Sequence, residues 1–193
     1  MKNGFIVLLV LLSVQINCKS QDYNLESKKV KTKQRFLLGY SKQFTQVDLG
    51  VTFIKDLIQN DTIYFVKFKL TTPTSDDRCE IFIGKNNTIL FVTKSGKTVI
   101  LPFNENVLME EVVVNKDSPL IPHRFYYTST FYLKITKEQL LTIGAEPFGN
   151  ITLTYNDYQS NKVCIAIFYT PNFYVSKSFT IDDIDYLLNS KFR

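Results

Sequence analysis

Between Asp48 and Thr170 apolar side chains keep returning at every second position, a rhythm suited to extended strands with one buried face. Leu49, Val51 and Phe53 alternate with Asp48, Gly50 and Thr52, and Tyr64, Val66, Phe68 and Leu70 alternate with Phe65, Lys67 and Lys69. Ile81 and Ile83 follow Cys79 at the same spacing, which places that thiol on the buried side. Thr88 to Lys94 and Lys97 to Phe103 flank Ser95-Gly96, read as a two-residue hairpin loop whose glycine supplies positive φ. Further strands are expected at Val107 to Asn115, Phe125 to Ile135, Asn150 to Tyr155 and Val163 to Thr170. Short β-branched and aromatic runs punctuated by turns predict a mainly β fold, an antiparallel β-sandwich or open barrel.

Two helices interrupt this pattern. Thr136 caps a helix over 137–143, with Gln139 placed to close a capping box and Gly144 to end it. A C-terminal helix over 181–189 follows Thr180, with Asp183 in the equivalent capping position. Ile181, Ile184 and Leu188 share one face of that helix, so it is expected to pack on the sheet.

The formal charge of +5 would suit a polyanion, but its location argues otherwise. Residues 19–35 carry Lys19, Lys28, Lys29, Lys31, Lys33 and Arg35 against Asp22 and Glu26. Residues 36–193 balance sixteen basic against sixteen acidic side chains. The basic excess therefore marks a tether, and no nucleic-acid partner is expected. The chain divides into residues 1–17, a signal peptide; 18–35, a basic flexible linker without apolar periodicity; and 36–193, one β-rich domain.

The beginning of the chain has the form of an export signal: Lys2, an apolar stretch from Phe5 to Val14, then Cys18. The run Asn17-Cys18-Lys19-Ser20-Gln21 resembles the signal ends of small envelope lipoproteins of the Bacteroidota. That resemblance implies an address and an anchor, a diacylglycerol on the Cys18 thiol. Only Asp22 and Glu26 follow the cysteine closely, so no acidic surface-export signal is evident and the periplasmic face of an outer membrane is expected. Cleavage after Ser20 is the alternative, giving a secreted glycoprotein with Asn60, Asn86 and Asn150 as acceptors. The apolar run is too short for a transmembrane span, which takes about 20 residues. With Cys18 lipidated or removed, Cys79 and Cys164 remain as a candidate disulfide or as two buried thiols.

No catalytic motif stands out. His123 is the sole histidine and has neither an orienting carboxylate nor a nucleophile beside it in sequence. Asp182, Asp183 and Asp185 run into Ile, Tyr and Leu rather than an EF-hand loop, and fit helix capping. Glu110 or Glu111 with Asp157 is the pair a glycosidase would use, without a motif in support. No metal site and no cofactor are expected. The remaining candidates are aromatic: Tyr126, Tyr127 and Tyr132 on one strand, and Tyr174 beyond Pro171-Asn172, as a sugar-stacking or protein-binding surface. The expectation is a monomeric, membrane-tethered envelope lipoprotein whose domain binds or scaffolds without catalysis, with an envelope protein or a glycan as partner. An envelope hydrolase and a protein that neutralises a partner's toxin or enzyme are the further alternatives.

Overall fold

The computed structural model describes residues 28–41, 47–74, 81–114, 124–157, 161–169 and 179–192. Among these residues eleven strands, all paired antiparallel, form one sheet: β1 (Lys28–Lys31), β2 (Arg35–Ser41), β3 (Val47–Ile58), β4 (Asp61–Thr74), β5 (Ile81–Phe82), β6 (Thr88–Thr93), β7 (Thr98–Pro102), β8 (Glu110–Val114), β9 (Arg124–Ile135), β10 (Phe148–Asp157) and β11 (Val163–Tyr169). The helices are α1 (Lys137–Gly144) and α2 (Phe179–Asn189). The main path runs β7-β6-β10-β11-β2-β3-β4-β9-β8, with β1 on the far end of β3 and β5 on the far end of β10.

Ring contacts show how far this sheet is rolled. β6 and β4 are five strands apart along the path, about 24 Å in a flat sheet. Yet the rings of Phe91 on β6 and Phe68 on β4 lie 6.1 Å apart. Phe68 also stacks on Phe131 at 5.4 Å, and Phe131 meets Phe103, just beyond β7, at 5.3 Å. The sheet is a nearly closed barrel filled by side chains, with its seam between β7 and the β8–β9 edge.

The alternation read from sequence predicts the inward rows of β3 and β4, where Leu49, Val51, Phe53, Val66, Phe68 and Leu70 are all buried. The β3–β4 turn is a two-residue loop, Gln59 and Asn60, both at positive φ (50° and 71°), as the twist of a tight hairpin requires. The β6–β7 loop is one residue longer than expected. Thr93 and Lys97 close it, with Gly96 at φ 87°, so the glycine sits at the left-handed position of a three-residue loop.

Residues 28–35, expected within the flexible linker, are part of the barrel. Val30 is the single buried apolar side chain of β1, so no periodicity betrays the strand; pairing of Lys28–Lys31 with β3 holds it. At the break between β1 and β2 the Thr32 hydroxyl accepts a hydrogen bond from the Phe53 N–H at 3.0 Å. The Thr32 N–H donates to the Phe53 carbonyl, also at 3.0 Å, so the ladder continues through a side chain. The signal peptide and the rest of the expected linker lie outside the described residues.

The helices close one end of the barrel. α1 has the expected capping box: Thr136 Oγ1 accepts from the Gln139 N–H, and Gln139 Oε1 accepts from the Thr136 N–H. Leu140 and Ile143 of α1 and Ile184 and Leu187 of α2 join the barrel core. α2 begins at Phe179, so Thr180 lies inside the helix rather than before it, and Asp183 is drawn to Arg35 of β2. Lys55 Nζ donates to the Leu188 and Ser190 carbonyls at the C-terminal end of α2, where a cation suits the helix dipole.

Glu146, after α1, fastens this end to the β6–β7 turn. It accepts from Thr93 Oγ1 at 3.1 Å and from Ser95 Oγ, and pairs with Lys97 Nζ at 2.5 Å. These contacts, led by Lys97 and then Ser95, lower its pKa to about 2 from an ordinary 4.5. A depressed carboxyl pKa adds stability above about pH 4.5 that is lost as pH falls toward 2. Glu146→Gln is therefore expected to flatten the melting temperature against pH across that window, while the wild-type curve drops. Equal slopes in the two proteins would refute the clamp.

Candidate site at the barrel seam

The connection from β7 to β8 crosses the seam and is pinned on both sides. The Phe103 N–H donates to the Asn87 carbonyl at 3.3 Å, and the Val107 N–H donates to the Ile83 carbonyl at 2.9 Å. On the other side Ser129 Oγ of β9 donates to the Leu108 carbonyl at 2.5 Å. Asn87 is itself fixed, its Oδ1 accepting from the Gly84 N–H and its Nδ2 donating to Asn156 Oδ1. Phe103 and Val107 turn into the core, which leaves Asn104, Glu105 and Asn106 exposed.

Beneath that connection lies a cleft of about 680 Å³. Its floor is β9, whose alternation presents Thr128, Thr130 and Tyr132 outward while Ser129, Phe131 and Leu133 face the core. Lys69 of β4 borders one flank and Glu110 of β8 the other, set by the registers Lys69 with Thr130 and Glu110 with Thr128. Thr128 Oγ1 is held by the Leu70 carbonyl at 3.1 Å. The Tyr132 side chain is 56% exposed, with Lys67 Nζ 5.9 Å from its ring centroid. The lining thus combines one aromatic face, hydroxyls, amides and a near balance of charge. The volume is that of a small-molecule site.

The structure separates the expected tyrosines. Tyr132 lines the cleft. Tyr127 does not belong to an aromatic surface: at 7% exposure it is part of the barrel interior. The signal was present in the sequence, because 127 and 132 differ by an odd number and so face opposite sides of one strand. The Tyr126 side chain lies outside the described residues, as do Tyr174, His123, Cys18 and Cys79. Cys164 is half-buried with a free thiol and packs against the core.

Of the acids considered for a glycosidase, Glu110 borders the cleft, Asp157 does not, and the Glu111 side chain is outside the described residues. Sequence reading missed Glu105, which shares the cleft with Glu110, because it sits in an irregular connection without a motif. Among the described residues no cluster of His, Cys, Asp or Glu is placed to hold a metal ion. Asp183 is committed to Arg35. No helix among the described residues is long and apolar enough to cross a membrane, which leaves strands and lipid anchors out of account.

The class is thus a side-chain-filled, nearly closed antiparallel barrel with an open seam cleft. Comparison with protein-family models, curated proteins and solved structures finds no match.

Proposed function

We propose that this chain is a non-catalytic binding domain, held at an envelope membrane by lipid on Cys18, that takes a neutral glycan in the seam cleft. The observation that carries the reading is Tyr132, a half-exposed ring on a rigid strand beside Thr128 and Thr130 and under Asn104 and Asn106. A pyranose presents an apolar face to such a ring and hydroxyls to the surrounding amides and carboxylates. With Lys69 opposed by Glu105 and Glu110, a strongly charged ligand has little to gain.

The test is calorimetric titration with a panel of neutral oligosaccharides. Tyr132→Ala is expected to weaken binding roughly ten-fold, from about 1.5 kcal/mol of lost ring contact, without changing the melting temperature. Equal affinity in wild type and variant would sink the cleft as the site. The anchor is tested separately by the mass of the mature N-terminal peptide from the native host. A peptide starting at acylated Cys18 supports tethering, and an unmodified peptide starting at Gln21 supports the secreted alternative.

One observation favours a second reading, a glycan hydrolase: Glu105 and Glu110 share the cleft. Release of reducing ends from the bound oligosaccharide, abolished by Glu110→Gln, would establish it in place of simple binding.

A further inference from the structure

The barrel wall opposite the cleft has a different character. On β11 the outward row is Val163, Ile165, Ile167 and Tyr169, with Val163 69% and Ile165 54% exposed. Register places Tyr169 beside Leu38 of β2, and Phe36, 63% exposed, continues the outward row of that strand. On the other side β10 contributes Thr152 and Thr154, again without charge. Scattered exposed apolar residues are ordinary, but the β11 row is continuous for about 20 Å, and the Tyr169–Leu38 pair joins it to the row on β2.

Asp48, beside Leu38 on β3, and Lys162, just before Val163, each have a partner of their own, and the cations left over lie at one end of this face. β1 and β2 run in succession along β3, so Lys31 and Lys33 immediately precede the Phe36–Leu38 row. Both lysines are exposed, and neither forms an ion pair among the described residues, unlike Lys29 with Asp56 and Arg35 with Asp183. An apolar face with free cations at its border matches a leaflet in chemistry: apolar side chains meet the acyl boundary while ammonium groups meet anionic headgroups.

We infer that the outer face of β2 and β11 is a docking surface for an anionic lipid bilayer, with Lys31 and Lys33 on the headgroups. This contact needs no acyl chain, so it stands apart from the fate of Cys18. It also turns the seam cleft, on the far side of the barrel, away from the bilayer.

The test is vesicle flotation of the full-length chain carrying Cys18→Ala, which cannot be acylated. Phosphatidylcholine vesicles are compared with and without roughly one-third phosphatidylglycerol. Val163→Thr/Ile165→Thr keeps strand-forming residues and is expected to lower binding to both vesicles at least five-fold. Lys31→Glu/Lys33→Glu is expected to lower binding ten-fold or more on anionic vesicles alone, and Lys134→Glu, on another wall, to leave it unchanged. Melting temperatures equal to the parent show that each variant folds. The inference is overturned if the parent does not bind, if the Val163/Ile165 variant floats as well as the parent, or if Lys134→Glu weakens binding as much as the Lys31/Lys33 variant. It is equally overturned if sedimentation shows a dimer that the Val163/Ile165 variant dissociates while flotation persists, since the face would then belong to a second copy.

Discussion

Phe68→Ala is expected to cost about 4 kcal/mol of folding stability, enough to consume much of the margin of a domain this size. Phe68 is fully buried, and its ring contacts Phe91 from the far wall and Phe131 from the neighbouring strand. Truncation removes the transfer free energy of the ring and leaves a void that strands on two sides of the barrel cannot jointly fill. It also takes away one of the contacts that hold the sheet rolled, since β4 and β6 share no backbone ladder. Chemical denaturation should show a much lower midpoint, whereas Phe68→Leu, which fills more of the space, should lose less. A cost below about 1 kcal/mol for the alanine variant would show that the rings do not close the barrel.

Arg35→Met should destabilise the protein by about 2 kcal/mol, and the loss should be concentrated at α2. Arg35 of β2 places Nε 2.9 Å from Asp183 Oδ2 and donates from Nη2 to Oδ1 at 3.0 Å, a two-pronged grip on a carboxylate that is almost wholly buried. Removing the guanidinium leaves that charge in the interface without its partner. The figure is held below the 3–5 kcal/mol of a fully buried pair because Arg35 keeps 41% of its side chain in water. Amide exchange should quicken along 180–188 more than in β3 or β4. Arg35→Met with Asp183→Leu should recover part of the loss, because no buried charge is then stranded. Additive losses in the double variant would show that the two residues act independently.

Both effects come from contacts that join distant parts of the chain, which bears on what reading the residues in order can reach. The strands β3, β4, β6 and β9 were legible because each has a core-facing row of large apolar side chains, so their period is written locally. The α1 cap was legible for the same reason, its donors and acceptors lying within three residues of each other. β1 was not, because Val30 alone enters the core and the strand exists through the backbone groups of β3. For Asp183 the sequence offers a local explanation, capping next to Thr180, while its partner lies 148 residues away.

The candidate site divides along the same line. The tyrosines could be read from the sequence, and strict alternation along β9 already separates Tyr132 from Tyr127. The cleft could not be read, since it arises where a rolled sheet fails to close and an irregular connection is pinned across the gap. The run of residues by itself determined the β class, the inward rows, the two helices and the separation of basic from neutral segments, because these depend on spacing within one element. Only the tertiary structure decided barrel over sandwich, the seam with its cleft, and the apolar outer wall. Those depend on which strands become neighbours, and pairing between distant strands is settled by the joint burial of many side chains rather than by any segment alone.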